Sequence, residues 1–368
     1  MSTVVVKVGT SSITSEEGRI DRSAIAKLCG EVAGLCSAEG GGHRVIVVTS
    51  GAIAAGLPAL SMTRPSNDLA TLQAVAAVGQ SRLMRVYDEV LAEHGLVGGQ
   101  VLLAPLDFVH RSQYLHARQT VLRLLELGVV PIVNENDAIA DDEIRFGDND
   151  RLAALVAHLV AADTLVLLTD TPGMFTADPR LHADASLIEE IVSIDHELEK
   201  QAGGSGSERG SGGMASKLAA AKMAAWSGVR AVIAGASRPG VLAAAVAGEP
   251  GAGTVVRPHD RAKRLPARKL WIAFAVGASG TVVVDDGARR ALVERNTSLL
   301  PAGVISVSGS FDAEAAVEIA GPDGKVFAKG LVRHPSSRVA EWAGRRTTDL
   351  PPDLPHEVVH RDDLVVLP

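Results

Sequence analysis

Val129-Val130-Pro131-Ile132-Val133-Asn134-Glu135-Asn136-Asp137 opens a stretch that continues to Gly147-Asp148-Asn149-Asp150-Arg151, and its reading decides the fold. The first half is an apolar run of strand type. The second half leads into a helix pattern, with Leu152, Leu155, Val156, Leu159 and Val160 at helical spacing. Between Asn134 and Asp150 stand seven carboxylates against one arginine, Arg145. A solvated acidic hairpin would carry such charges. It does not explain why carboxamides and carboxylates begin directly after a buried-type strand and stop directly before a helix, where an α/β protein places its ligand groups. Such a cluster can hold a ligand's ammonium group, a divalent cation, or lysines that must be aimed at phosphate.

Outward from this stretch the same alternation repeats. Thr3 to Val8 reads as a buried strand that carries Lys7 into a Gly9-Thr10-Ser11-Ser12 turn. A lysine delivered into such a turn either snorkels to an edge or presents its ammonium, with backbone N–H groups, to phosphate. Asp21 caps a helix with Ile25, Leu28, Val32 and Leu35 on one face. Arg44 to Thr49 is a second buried strand, followed by Ser50-Gly51-Ala52 and a small-residue helix start, where glycine lets a ligand approach the backbone. Helices are expected near Leu69 to His94 and Tyr114 to Leu127, with a strand near Val101 to Leu103 between them. Leu165 to Thr169 is a further buried strand ending in Asp170, and Val229 to Ala234 and Thr254 to Arg257 flank a helix over Pro239 to Ala247. The Gly/Ser tract Gly203 to Gly213 reads as a linker in its first half but runs into Ser211-Gly212-Gly213-Met214-Ala215-Ser216-Lys217, the start of a helix. Glycines and a lysine at a helix start form a phosphate site. Apolar strands alternating with helices predict an α/β domain, a mainly parallel sheet sandwiched by helices.

Composition limits the functional classes. The chain has 368 residues, 46% of them hydrophobic, with a formal net charge of −7 and a pI near 5.9. A general polyanion binder shows a basic domain or face, so nucleic acid is not an expected partner. Aromatic residues, at 3%, leave little for base stacking. No run of apolar residues is long enough to span a bilayer, since Leu152 to Leu168 is broken by His158 and Asp163. Met1-Ser2-Thr3-Val4 lacks a secretory pattern, so a cytoplasmic location is expected. Cys29 and Cys36 share a helix face two turns apart and read as small buried hydrophobes, neither a redox pair nor a metal site.

From Pro258 the pattern changes. Residues 1–257 form the expected α/β domain, and 258–275, with Arg261, Lys263, Arg264, Arg268 and Lys269 around two prolines, read as a linker. Residues 276–354 read as a small β-rich domain of short strands and turns, with one short helix near Ser336 to Trp342, and 355–368 as a tail.

Taken in order, Lys7-Val8-Gly9-Thr10-Ser11, Val48-Thr49-Ser50-Gly51-Ala52-Ile53, Asn134-Glu135-Asn136-Asp137, Gly147-Asp148-Asn149-Asp150, Leu168-Thr169-Asp170, Thr176-Ala177-Asp178-Pro179-Arg180 and Gly212-Gly213-Met214-Ala215-Ser216-Lys217 closely resemble the glutamate 5-kinases, a family of the amino-acid kinase superfamily. The tail from about Val276 resembles the PUA domain that many bacterial members carry. The resemblance implies the amino-acid kinase fold with a PUA-like C-terminal domain, and ATP-dependent phosphorylation of the glutamate side-chain carboxylate, the first step of proline biosynthesis. Alternatives are an acetylglutamate- or aspartate-type kinase, or an RNA-binding regulatory protein on the same fold. It implies that Lys7, Gly9, Thr169, Asp170 and Ser211 to Lys217 (Ser211, Gly212, Gly213, Met214, Ala215, Ser216 and Lys217) bind ATP. It also implies that Ser50, Gly51, Asn134, Asp137, Asp148 and Asn149 bind the acceptor. Lys7, Lys217 and Asp150 are the expected catalytic groups, with Mg²⁺ on the nucleotide and its protein ligands unknown. Proline as feedback inhibitor and a homodimer or homotetramer are further implications. Ser211 and Ala215-Ser216 depart from the usual threonine and Ser-Thr pair, which removes one hydroxyl at position 215. The physical requirement agrees: a carboxylate already ionised at neutral pH needs no general base to accept a phosphoryl group, only alignment and charge neutralisation.

Overall fold

The computed structural model describes the chain except residues 16, 109, 140–148, 180, 183, 195, 204–212, 260–264, 276, 352–353 and 368. The chain forms two compact units, Met1–Arg264 and Leu265–Pro368.

In the first unit, β1 (Thr3–Lys7), α1 (Arg22–Cys36), β2 (Arg44–Val48), α2 (Ala52–Gly56), α3 (Leu69–Glu93), β3 (Val97–Leu103), α4 (Arg111–Glu126), β4 (Val129–Glu135), α5 (Asn149–Leu159), β5 (Thr164–Thr169), β6 (Glu190–Ile191), α6 (His196–Gly203), α7 (Met214–Trp226), β7 (Arg230–Gly235), α8 (Val241–Ala247) and β8 (Thr254–Val256) follow in that order. The strands form one eight-stranded sheet in the order β3-β4-β2-β1-β5-β7-β8-β6. It is parallel except where β8 runs against β7. Strands buried on both faces need apolar residues at every position, and Val4, Val5, Val6, Leu165, Val166 and Leu167 are all fully buried.

Strand alternation divides the work of the two faces. Val4, Val6, Val8, Val45, Val47, Val166 and Leu168 pack with Ile25, Leu28 and Val32 of α1, Leu83 and Tyr87 of α3, and Val241 and Leu242 of α8. The residue between Val6 and Val8 is Lys7, which therefore points to the other face, where α5 and α7 lie. Asp21 caps α1 through Ser23 and Ala24, and Asp68 caps α3 through Thr71. Cys29 is buried and Cys36 half-buried, both free, and burial pushes the Cys29 thiol up to about 12.

The second unit holds α9 (Ala267–Leu270), a π-helical turn at Trp271–Ala275, β9 (Gly280–Val284), α10 (Asp286–Arg295), β10 (Val304–Gly309), β11 (Ala316–Ala320), β12 (Val326–Val332), α11 (Ser336–Trp342) and β13 (Val359–Val366). Its five strands pair as β10-β9-β11-β12-β13, with Val282, Val284, Val317, Ile319, Phe327 and Leu364 in the core.

Three expectations change here. Residues 267–275, placed in a linker, are helical, with Leu270 and Ile272 fully buried. Residues 355–368, expected as a tail, supply the edge strand β13. The period-two pattern is hidden because His360 to Asp363 lie in a register shift between the paired ends Val359↔Val332 and Leu364↔Gly330. A second helix, α10, also joins α11. Its Asp285 side chain caps Ala288, but only Leu292 is fully buried, so the apolar stripe is too thin to read.

Candidate active site

The carboxyl ends of β1, β2 and β4 and the first turns of α5 and α7 converge on two adjoining clusters. The first is ionic. Asp150, in the first turn of α5, is fully buried and takes an ammonium on each oxygen: Lys7 Nζ at 2.7 Å from Oδ1 and Lys217 Nζ at 3.2 Å from Oδ2. The Ser216 hydroxyl donates to Oδ2 at 3.2 Å. Lys7 and Lys217 are 3% and 5% exposed, so water screens little of this charge. Lys217 sits in the first turn of α7, whose N-cap Gly213 offers no side chain to the helix N–H groups. A Cβ at Gly9 would stand 3.4 Å from Lys7 Nζ, so the absent side chain keeps space open beside that ammonium.

The second cluster is a chain of amides. The Asn149 Nδ2 group donates to the Thr49 carbonyl at 2.6 Å, the Ser50 hydroxyl at 2.8 Å and Asn134 Oδ1 at 2.9 Å. Asn134 in turn donates to Gln80 Oε1 at 2.8 Å. Asn149 Oδ1 and Gln80 Nε2 are buried, and neither has a hydrogen-bond partner among the described residues. The Tyr87 hydroxyl meets Thr49 Oγ1 at 2.8 Å, bracing the end of β2 from α3. Asn149 and Asp150 are neighbours in one helical turn, which joins the amide chain to the ionic cluster.

Gly51, at φ +97°, turns the chain from β2 into α2 in a conformation a side chain disfavours. Asp137 lies half-buried just past β4, and burial pushes its carboxyl up to about 6. No ionic or hydrogen-bond partner for it occurs among the described residues.

Thr169 and Asp170 stand apart from both clusters. The Thr169 hydroxyl donates to Asp170 at 3.0 Å. Both line a cleft of about 310 Å³ with Ser11, Ser12, Ala236 and Ser237, on the sheet face that carries α1 and α8. Lys7, Asp150 and Lys217 are not among its lining residues. Met214 and Ala215 open α7 beside Ser216, whereas Asp148, Ser211 and Gly212 lie outside the described residues. Sequence reasoning missed Gln80 and Tyr87. The signal was present for Gln80: an uncharged polar residue on the buried stripe Val75, Ala76, Gly79, Leu83, Tyr87 of α3.

A model of the amino acid kinase family matches residues 2–235, and a PUA domain model matches residues 280–351. Glutamate 5-kinase of Pelobacter propionicus is 44% identical over 99% of this chain and 97% of its own length. The chain belongs to the glutamate 5-kinase family. The Glutamate 5-kinase of Trichlorobacter lovleyi is 45% identical over 99% of this chain and 96% of its own, and that of Mycobacterium ulcerans 44% over the same shares. Among solved structures, the isopentenyl phosphate kinase of T. acidophilum covers 69% of this chain and 100% of its own at 20% identity and a TM-score of 0.49. Membership in the glutamate 5-kinase family spans both units, and no helix among the described residues is long and apolar enough to cross a membrane.

Proposed function

We propose that the chain transfers the γ-phosphoryl group of ATP to the side-chain carboxylate of L-glutamate, giving L-glutamate 5-phosphate for proline biosynthesis. The observation that carries this reading is the pair Lys7 and Lys217 on Asp150, one residue from an amide cluster that suits a polar acceptor. The glutamate carboxylate oxygen attacks the γ-phosphorus in line, an O–P bond forms, the bond to ADP breaks, and ADP leaves with the electron pair. No proton needs to move. The protein must hold two anions together and offset the charge that spreads over the equatorial oxygens. Lys7 and Lys217 do this, and Asp150 aims both ammonium groups, one from each carboxylate oxygen. The N–H groups in the first turn of α7 add positive potential at the phosphates.

At the acceptor end, Ser50, Gly51, Asn134, Asp148 and Asn149 hold the glutamate, and Asp137 pairs with its free α-ammonium. A carboxyl raised to about 6, with no cationic partner among the described residues, is suited to that role, because an arriving ammonium stabilises its charged form. An N-acylated glutamate offers no such charge. Gly9, Thr169, Asp170 and the segment from Ser211 through Gly212 to Lys217 serve the nucleotide. Mg²⁺ fits on the phosphates, which supply the hard oxygen ligands it requires. Among the described residues no group of three or more His, Cys, Asp or Glu forms a cage for a metal. The reading further includes a cytoplasmic homo-oligomer, dimer or tetramer, inhibited by proline near the glutamate site.

The test is ADP release measured in parallel with glutamate, acetylglutamate and aspartate. Glutamate alone should support turnover. Turnover with acetylglutamate in its place would assign the neighbouring kinase type.

A further inference from the structure

The amide chain has a direction, and that direction has a cause. The Thr49 carbonyl can only accept, so Asn149 must turn its Nδ2 group toward it, at 2.6 Å. The same Nδ2 group then requires an acceptor from Asn134, which presents Oδ1 at 2.9 Å. Asn134 is left with Nδ2 on its far side, and Gln80 Oε1 receives it at 2.8 Å. All three amides are more than nine-tenths buried, so water cannot readily substitute for a missing partner. The two ends remain open: Asn149 Oδ1, an acceptor, and Gln80 Nε2, a donor. A buried acceptor without a partner among the described residues, on the amide whose Nδ2 meets Ser50, suits an ammonium-bearing ligand.

Gln80 reaches this position through an unusual helix contact. A Cβ on Gly79 would lie 1.7 Å from the Ala52 carbonyl oxygen, and one on Gly56 would lie 2.1 Å from the Val75 carbonyl oxygen. Only glycine at both positions allows α2 and α3 to touch backbone to backbone. That contact brings the residue after Gly79 against Asn134.

We propose that Gln80 is a positioning residue for the acceptor site. By accepting from Asn134 it completes the hydrogen bonding of an Asn134–Asn149 pair whose polarity the Thr49 carbonyl sets, so that Asn134 stays in place and Asn149 Oδ1 is left for the α-ammonium of the substrate. This rests on Asn134 and Asn149 being acceptor-site residues in the proposed function. Burial of an unpaired Gln80 donor carries a cost that an apolar side chain of the same size would avoid, so the bond accepted from Asn134 is what glutamine contributes at this position.

The test uses the full chain with Gln80→Met, which keeps side-chain length and removes both hydrogen-bonding atoms. Loss of one buried hydrogen bond in the acceptor site should raise the glutamate KM roughly tenfold. The ATP KM should stay within about twofold, and the melting temperature without ligand should stay close to that of the unsubstituted chain, since a buried unpaired donor is removed as another is created. In an Asn134→Ala background, Gln80→Met should have no further effect on the glutamate KM. A glutamate KM within about twofold of the unsubstituted value, equal effects on both substrates, or an additive double variant would overturn the inference. Gln80→Leu serves as the second variant, and failure of both to fold would make Gln80 a core residue and overturn it too. Turnover of acetylglutamate but not glutamate by the unsubstituted chain would instead overturn the parent reading, before any variant is made.

Discussion

Replacing Asp150 by asparagine tests the centre of the ionic cluster. The variant keeps the size of the side chain and removes the one negative charge that two buried ammonium groups share at 2.7 and 3.2 Å. At an effective dielectric constant of about 20 each contact represents a gross attraction of roughly 5 kcal/mol, most of it offset by the cost of desolvating the ions. Removing one partner of such a group leaves uncompensated charge, and the expected loss of stability is about 3–5 kcal/mol. For a unit of this size that lowers the melting temperature by roughly 10 °C. ATP supplies the missing negative charge through its phosphates. Saturating ATP should therefore raise the melting temperature of Asp150→Asn by more than it raises that of the unsubstituted chain, for which a hundredfold excess over Kd contributes about 2.7 kcal/mol. Turnover should still fall by about a hundredfold or more, because the lysines are no longer aimed. Thermal unfolding of the full chain with and without ATP, beside ADP-release kinetics, reads all three. A variant that melts with the unsubstituted chain in the absence of ATP would refute the view that Asp150 holds the two lysines together.

The raised Asp137 carboxyl has a defined pH signature. Its folded value near 6 lies above the ordinary 3.8, so its contribution to stability is fully present below pH 4 and is lost as pH rises through about 6. Asp137→Asn should therefore stabilise the ligand-free chain at pH 7.5, by at most about 3 kcal/mol, with the advantage vanishing near pH 4 in thermal unfolding. The same substitution should raise the glutamate KM far more than the ATP KM, and equal effects would refute pairing with the substrate ammonium. Gly79→Ala must part α2 from α3, so both stability and glutamate affinity should fall, whereas Gly34→Ala, in a helix with open space around it, should be neutral or stabilising by up to about 1 kcal/mol. Truncation after residue 354 removes β13 and the buried Val358, Val359 and Leu364; the shortened chain should bind a hydrophobic dye and precipitate on warming, and retention of a cooperative second transition would refute β13 as a structural strand.

Much of the candidate site was legible because α/β chains announce their strand ends. Lys7 after three valines, Ser50-Gly51 after the second strand and Asn134 near the end of the fourth all interrupt apolar runs with groups that a core would not accept unpaired. Lys217 at the start of a helix after glycines carried a comparable signal. Gln80 did not stand out, since one polar residue on a long apolar stripe is equally compatible with a satisfied core amide. The second unit was harder to read: α10 has only a narrow buried stripe, and β13 breaks its alternation at a register shift.

What the sequence determined by itself were the local periodicities, the strand ends and the chemical kinds of group carried there, because these depend on neighbours within a few residues. Which ends meet depended on the sheet order, with β1 between β2 and β5 and its Lys7 turned to the face shared by α5 and α7. Only the packed structure sets two distant ammonium groups on one carboxylate and runs an amide chain from Thr49 to Gln80. Charge pairing and hydrogen-bond direction are properties of surfaces pressed together, for Gln80 through the backbone contact at Gly56 and Gly79 and for the lysines through the packing of α5 against β1 and α7, and no periodicity along the chain encodes them.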